Sequence, residues 1–134
     1  MMEIRAFKNE LRNYKYYLSR VITLTNSIDY LYDRLGGVRG IDPSKEPTHS
    51  QPNKELEYKL RDDISRLESK KSLVEDKIKD IDETLNRMEE PLKTCVISMY
   101  IDGTHLIKLA DELYLSPSGL MKRMNREIKR VLDI

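Results

Sequence analysis

The sequence predicts an all-α protein in which a long antiparallel helical hairpin, a coiled coil, precedes a small helical C-terminal domain. Three observations carry this: two apolar stripes that alternate three- and four-residue steps, a Gly/Pro-bearing segment between them, and a Ser-Pro pair that opens the last helix. Charged residues make up 35% of the chain and aromatics 7%, a balance that suits long solvated helices better than a thick globular core.

The first stripe runs through Ile4, Phe7, Leu11, Tyr14, Leu18, Val21, Thr25, Ile28, Tyr32 and Leu35, and predicts one helix over 3–35. Tyr17, Ile22, Leu24 and Leu31 widen its apolar face beyond a two-stranded seam. A hairpin partner plus a second subunit would cover that width, so a homodimer is expected. Residues 36–52 hold three Gly and three Pro without a period, which predicts a flexible loop containing the isolated His49. The second stripe is Leu60, Ile64, Leu67, Lys71, Val74, Ile78, Ile81, Leu85 and Met88, on a helix over 53–90 with no internal Pro or Gly. Folded back on the first helix, it would set Glu75, Asp82 and Glu89 beside Lys8 and Lys15, and Lys70 and Lys77 beside Glu3 and Glu10. A parallel dimer pairing Lys70 with Glu75 and Lys77 with Asp82 satisfies the same charges. The chain thus divides into residues 1–90, a hairpin and dimerisation region, and residues 91–134.

Three short helical pieces are expected after Pro91. The first spans 92–101, includes Cys95 as a core residue, and closes at Asp102-Gly103. The second starts from Thr104 as N-cap and reaches Leu113. The third begins with Ser116 as N-cap and Pro117 at its first position, and continues to Leu132. A helix of nine or ten residues, a short turn and a Ser-Pro helix start have the spacing of a helix-turn-helix. Its expected core is Leu109, Ala110, Leu113, Leu115, Leu120, Met124 and Ile128. The opposite side of the third helix carries Ser118, Met121, Lys122, Asn125, Arg126 and Lys129, with Arg123 and Arg130 flanking. Between Ser116 and Arg130 five basic residues face one acid, Glu127, so this helix concentrates positive charge in a chain of net charge +1.

The segment Met99-Tyr100-Ile101-Asp102-Gly103, then Lys108-Leu109-Ala110, Leu113-Tyr114-Leu115-Ser116 and the helix from Leu120 to Leu132, resembles the C-terminal helix-turn-helix of bacterial sigma factors. It is similar still more closely to small regulators encoded by phages and prophages of Gram-positive bacteria, which share the plan of N-terminal helix, variable loop, long charged helix and sigma-like domain. The resemblance implies a sequence-specific, double-stranded DNA-binding activator of phage late or packaging genes, with host RNA polymerase a candidate partner. It also implies that Ser116, Ser118, Met121, Lys122 and Asn125 read the major groove and that Thr104 and His105 meet phosphate. The basic residues Arg123, Arg126 and Lys129 would hold phosphates. The alternative is an oligomeric phage DNA-packaging or adaptor protein that binds another protein through its coiled coil. Three positions depart from the family pattern: Gly119, Ile107 and Tyr114.

No constellation in the chain supports an enzyme. His49 and His105 are the only histidines, and Cys95 has no second thiol, so no metal or cofactor is expected. Gly36-Gly37-Val38-Arg39-Gly40 lacks the Lys-Ser/Thr ending of a phosphate loop. A single cysteine, no signal pattern and no long apolar run suggest a protein of the bacterial cytoplasm without a membrane partner.

Overall fold

The computed structural model describes residues 2–39 and 54–134, and all regular structure among them is helical. The elements are α1 (Ile4–Arg12), α2 (Tyr14–Arg39), α3 (Lys54–Asn86), α4 (Leu92–Val96), a π-helical turn (Ile97–Ile101), α5 (Leu106–Glu112) and α6 (Pro117–Leu132). His49 and most of the expected loop lie outside the described residues. Gly36 and Gly37 do not begin that loop: α2 continues through them to Arg39. None of the described helices is long and apolar enough to cross a membrane.

The chain forms two compact units, one joining the chain up to Leu18 with Lys77–Ile134, the other Ser19–Asp76. The boundary expected between residues 90 and 91 therefore lies inside the first unit.

The expected single N-terminal helix is broken at Asn13. The Asn13 N–H is shared between the carbonyls of Asn9 and Glu10, at 3.2 Å each, a local tightening toward three residues per turn. The buried stripe changes register at the same place. It runs Phe7, Leu11, Tyr14, Tyr17, Val21, Leu24, Ile28, Leu31 and Leu35, with two successive three-residue steps around Tyr14. Such a deletion from the three-four alternation overwinds the helix locally, and Asn, a poor helix former, sits where the overwinding falls. Leu18 and Tyr32, expected in the seam, are consequently exposed, while Leu24 is only 2% exposed.

The second stripe keeps its expected register: every position from Leu60 to Met88 that repeats in the seam is buried or half-buried, Lys71 included. Lys71 turns its ammonium out to Glu75 at 3.8 Å. In the second unit Ile28 and Leu35 of α2 pack with Leu60 and Ile64 of α3, flanked by Leu31, Leu56 and Leu67. The expected ion pairs along the helix edges are replaced by tyrosine contacts. Tyr14 donates to Asp82 at 2.7 Å, Tyr17 to Glu10 at 2.8 Å, and Lys77 stands over the Tyr17 ring; in the second unit Tyr32 donates to Glu68. The acids and bases of α3 pair along the helix itself, as in Arg61–Glu57, Arg66–Asp62 and Lys79–Glu83.

Burial, then the hydrogen bonds to Asp82 and Glu10, push Tyr14 and Tyr17 from 10.0 up to about 12. Below pH 10 both folded and unfolded chains keep these protons, so the full contribution to stability is present. Between pH 10 and about 12 the unfolded chain ionises first, and stability falls as pH rises. Urea unfolding across this range is expected to show a steeper alkaline loss for wild type than for Tyr14→Phe/Tyr17→Phe; equal slopes would contradict the raised values.

Helix α3 stops at Asn86 rather than Glu90. Its last turn tightens through Arg87 N–H to Thr84 and Met88 N–H to Leu85, both three residues back, ahead of Pro91, which has no N–H to continue the ladder. The piece expected over 92–101 is α4 continued by the π-helical turn. Asp102 N–H reaches Ile97 O at 3.1 Å, and Gly103 at φ +76° lets Thr104 N–H return to Ser98 O at 2.8 Å. Cys95 is buried, and burial, aided by Glu90 and Glu112, pushes its thiol up.

Candidate nucleic-acid interface

Helix α6 begins as its sequence dictates: Ser116 Oγ accepts from Gly119 N–H at 3.1 Å, with Pro117 at the first helical position. This cap also accounts for Gly119. A Cβ there would stand 2.8 Å from Ser116 Oγ, so a larger residue must displace the capping hydroxyl. Gly119→Ala therefore gains about 1 kcal/mol of helix propensity and forfeits a cap of about 1 kcal/mol, leaving a net change expected within about 0.5 kcal/mol. Chemical denaturation that finds Gly119→Ala stabilising by a full 1 kcal/mol would show the cap to be dispensable.

Helix α5 begins one residue later than expected. His105, not Thr104, is its N-cap; its side chain makes no capping bond and is exposed, whereas Thr104 is half-buried. Its far end closes with Leu115 N–H on Ala110 O at 2.9 Å and Tyr114 N–H on Asp111 O at 3.2 Å. This closure requires the left-handed backbone at residue 114, where glycine is usual, and Tyr114 adopts it at φ +57° with 96% of its surface exposed. Leu109, Ala110, Leu120, Met124 and Ile128 are buried and Leu113 and Leu115 half-buried, and α5 lies against α6.

The outer surface of α6 is sorted more finely than its sequence suggests. Ser118, Lys122, Arg123, Arg126 and Lys129 are exposed, and none of the ion pairs among the described residues involves them. Arg123 and Arg126 line one cleft with Leu92, Glu127 and Arg130. Ser116 is exposed, but its hydroxyl serves the cap. Met121 and Asn125 are not on this face. Both are half-buried; Met121 Sδ accepts from Tyr100 Oη at 3.7 Å, and Asn125 Oδ1 is turned inward without a partner. Seen down the helix, residues 121 and 125 fall between the buried arc and the basic face, and Met121 is held on the inner side by Tyr100.

Arg130 is spent on structure. Its guanidinium pairs with the buried carboxylate of Glu127 and donates to the carbonyl of Arg87, just past the end of α3, at 2.9 Å. It thus satisfies an unpaired carbonyl where the dipole of α3 is negative. The one acid of the helix is thus paired with Arg130, and the four other cations have no ion-pair partner among the described residues.

No family model, curated protein or solved structure matches the chain. A row of exposed cations and hydroxyls on a rigid helix, backed by a closed apolar core, is suited to a regular array of anions. Among the described residues no group of three His, Cys, Asp or Glu side chains could hold a metal ion.

Proposed function

We propose that the protein is a sequence-specific double-stranded DNA-binding transcriptional regulator in which α5, the turn at Leu113–Ser116 and α6 serve as a helix-turn-helix, with α6 entering the major groove. The observation that carries the reading is the exposed basic face Lys122, Arg123, Arg126 and Lys129 on a helix whose one acid, Glu127, is buried and paired with Arg130. Ser118 and Lys122 are assigned to base edges, and Arg123, Arg126 and Lys129 to phosphates. The inward placement of Met121 and Asn125 removes them from direct readout.

In this reading α2 and α3 form an antiparallel coiled-coil hairpin that joins two such heads. The order of contacts within the first unit supports the antiparallel sense: Tyr14 meets Asp82, and Tyr17, further along α2, meets Lys77, further back along α3. Dimerisation through α2 is supported by the exposed Leu18, Ile22 and Tyr30; Leu24 and Leu31, buried or half-buried within the single chain, are not available to it. Two linked heads raise the effective concentration of the second contact. The resemblance to small phage and prophage regulators adds activation of late genes as the biological setting.

Titration of wild type and Lys122→Ala against a selected duplex and a scrambled one tests this at 50 and 200 mM salt. Three phosphate-neutralising cations per head predict a salt slope near −2.7 for one head, about a fortyfold loss across that range. Lys122→Ala is expected to cost about 1–3 kcal/mol on the selected duplex and to relax preference at one position. Absence of salt-dependent affinity for any duplex at 50 mM, with a protein partner retained by the long helices, would replace this reading with the adaptor or packaging role, for which the exposed Ile107 and Tyr114 offer a contact surface.

A further inference from the structure

A second set of cations stands apart from α6. Arg5, Lys8, Arg12 and Lys15 follow one another at steps of three, four and three, and so form one stripe along α1 and the first turn of α2. No carboxylate shares the stripe: Glu3 and Glu10 fall on other sides of the helix, and Glu10 is bonded to Tyr17. Lys15 pairs with Asp102 at 3.4 Å, Arg12 reaches the Asn9 amide, and none of the ion pairs among the described residues involves Arg5, Lys8 or Arg12.

This stripe is fixed against the C-terminal helices through one aromatic ring. Lys8 Nζ and the Arg12 guanidinium stand 5.3 and 5.4 Å from the centroid of Tyr100, whose hydroxyl donates to Met121 on α6. Around α6, residues 121 and 125 are followed directly by Ser118, Lys129 and Lys122 on the basic face. Two groups of cations therefore border the same Tyr100–Met121 seam. From Arg5 to Arg12 the stripe covers about 10 Å of helix, close to the axial length of three base pairs at 3.4 Å each.

We propose that a duplex seated on α6 continues over α1, with its phosphates held by Arg5, Lys8 and Arg12. The N-terminal helix is then part of the nucleic-acid surface as well as of the scaffold. This rests on the DNA-binding reading of α6 and extends it to a second element.

The test compares salt slopes for duplex binding by the full chain. Arg5→Gln/Arg12→Gln removes two cations of the stripe, and Lys59→Gln/Lys70→Gln removes two exposed cations of α3, so that both variants lose the same net charge. The stripe variant is expected to give a log–log slope shallower by about 1.8, so that it loses about tenfold less affinity than wild type between 50 and 200 mM salt; the α3 variant keeps the wild-type slope. Because Arg12 also touches Tyr100, Arg5→Gln alone, at an exposed residue, is measured too and should flatten the slope by about 0.9. Unchanged slopes in both stripe variants, beside salt-dependent wild-type binding, overturn the proposal and leave the α6 reading intact. An equal flattening in the α3 variant also overturns it, since net charge alone would then explain the effect. If wild type binds no duplex, the α6 reading fails first and this one with it.

Discussion

Leu24→Ala is expected to destabilise the protein by about 2–5 kcal/mol, whereas Leu18→Ala should cost less than about 1 kcal/mol. Both are leucines of α2 six residues apart, and the stripe legible in the sequence passes through Leu18. The structure reverses their importance: Leu24 is 2% exposed and Leu18 is 41% exposed. Removing three carbons from Leu24 leaves a cavity lined by side chains that relax only in part, whereas water already reaches Leu18. Urea unfolding of the two variants measures the difference directly. Equal losses, or a larger one at Leu18, would restore the unbroken heptad register and contradict the overwound turn at Asn13.

Arg130→Ala is expected to cost about 2 kcal/mol of stability, although its neighbour Lys129 can be truncated for less than about 0.5 kcal/mol. Without Arg130, the buried carboxylate of Glu127 loses its ion-pair partner, and the carbonyl of Arg87 loses its donor. The guanidinium is itself half in solvent, which keeps the loss below that of a fully buried pair. The functional effects should run the other way. Lys129→Ala is expected to flatten the salt slope of duplex binding by about 0.9, while Arg130→Ala, measured where it is folded, leaves the slope unchanged. A flattened slope for Arg130→Ala would return that residue to the outward face.

How much of the candidate interface was legible in the sequence can be judged from α6. Ser116-Pro117 marked its start to the residue, because capping and the fixed φ of proline are local chemistry. Leu120, Met124 and Ile128 marked its inner side, because a 3.6-residue period needs no partner to be seen. The inward turn of Met121 was not legible, since its contact is with Tyr100, twenty-one residues earlier. Nor was the hydrogen bond from Arg130 to the carbonyl of Arg87, which brings together residues more than forty positions apart.

The long helices divide in the same way. The sequence by itself determined that the regular structure of the described residues is helical, that α3 has a buried stripe from Leu60 to Met88, and that the helix closing at Gly103 ends there, for these follow from periodicity, propensity and backbone freedom at single residues. Eight tyrosines against one phenylalanine were a signal for the hydroxyl contacts to Asp82, Glu10 and Glu68, though not for which acids would accept them. Only the tertiary structure decided the register of α2, because Leu18 and Tyr17, or Thr25 and Leu24, offer two seams one residue apart. The choice between them was made by which side chains the packing of the whole chain buries. It likewise decided that α1, with its row of cations, belongs with the C-terminal helices: the Lys8, Arg12 and Tyr100 contacts span more than eighty residues of sequence, and no local rule reaches that far.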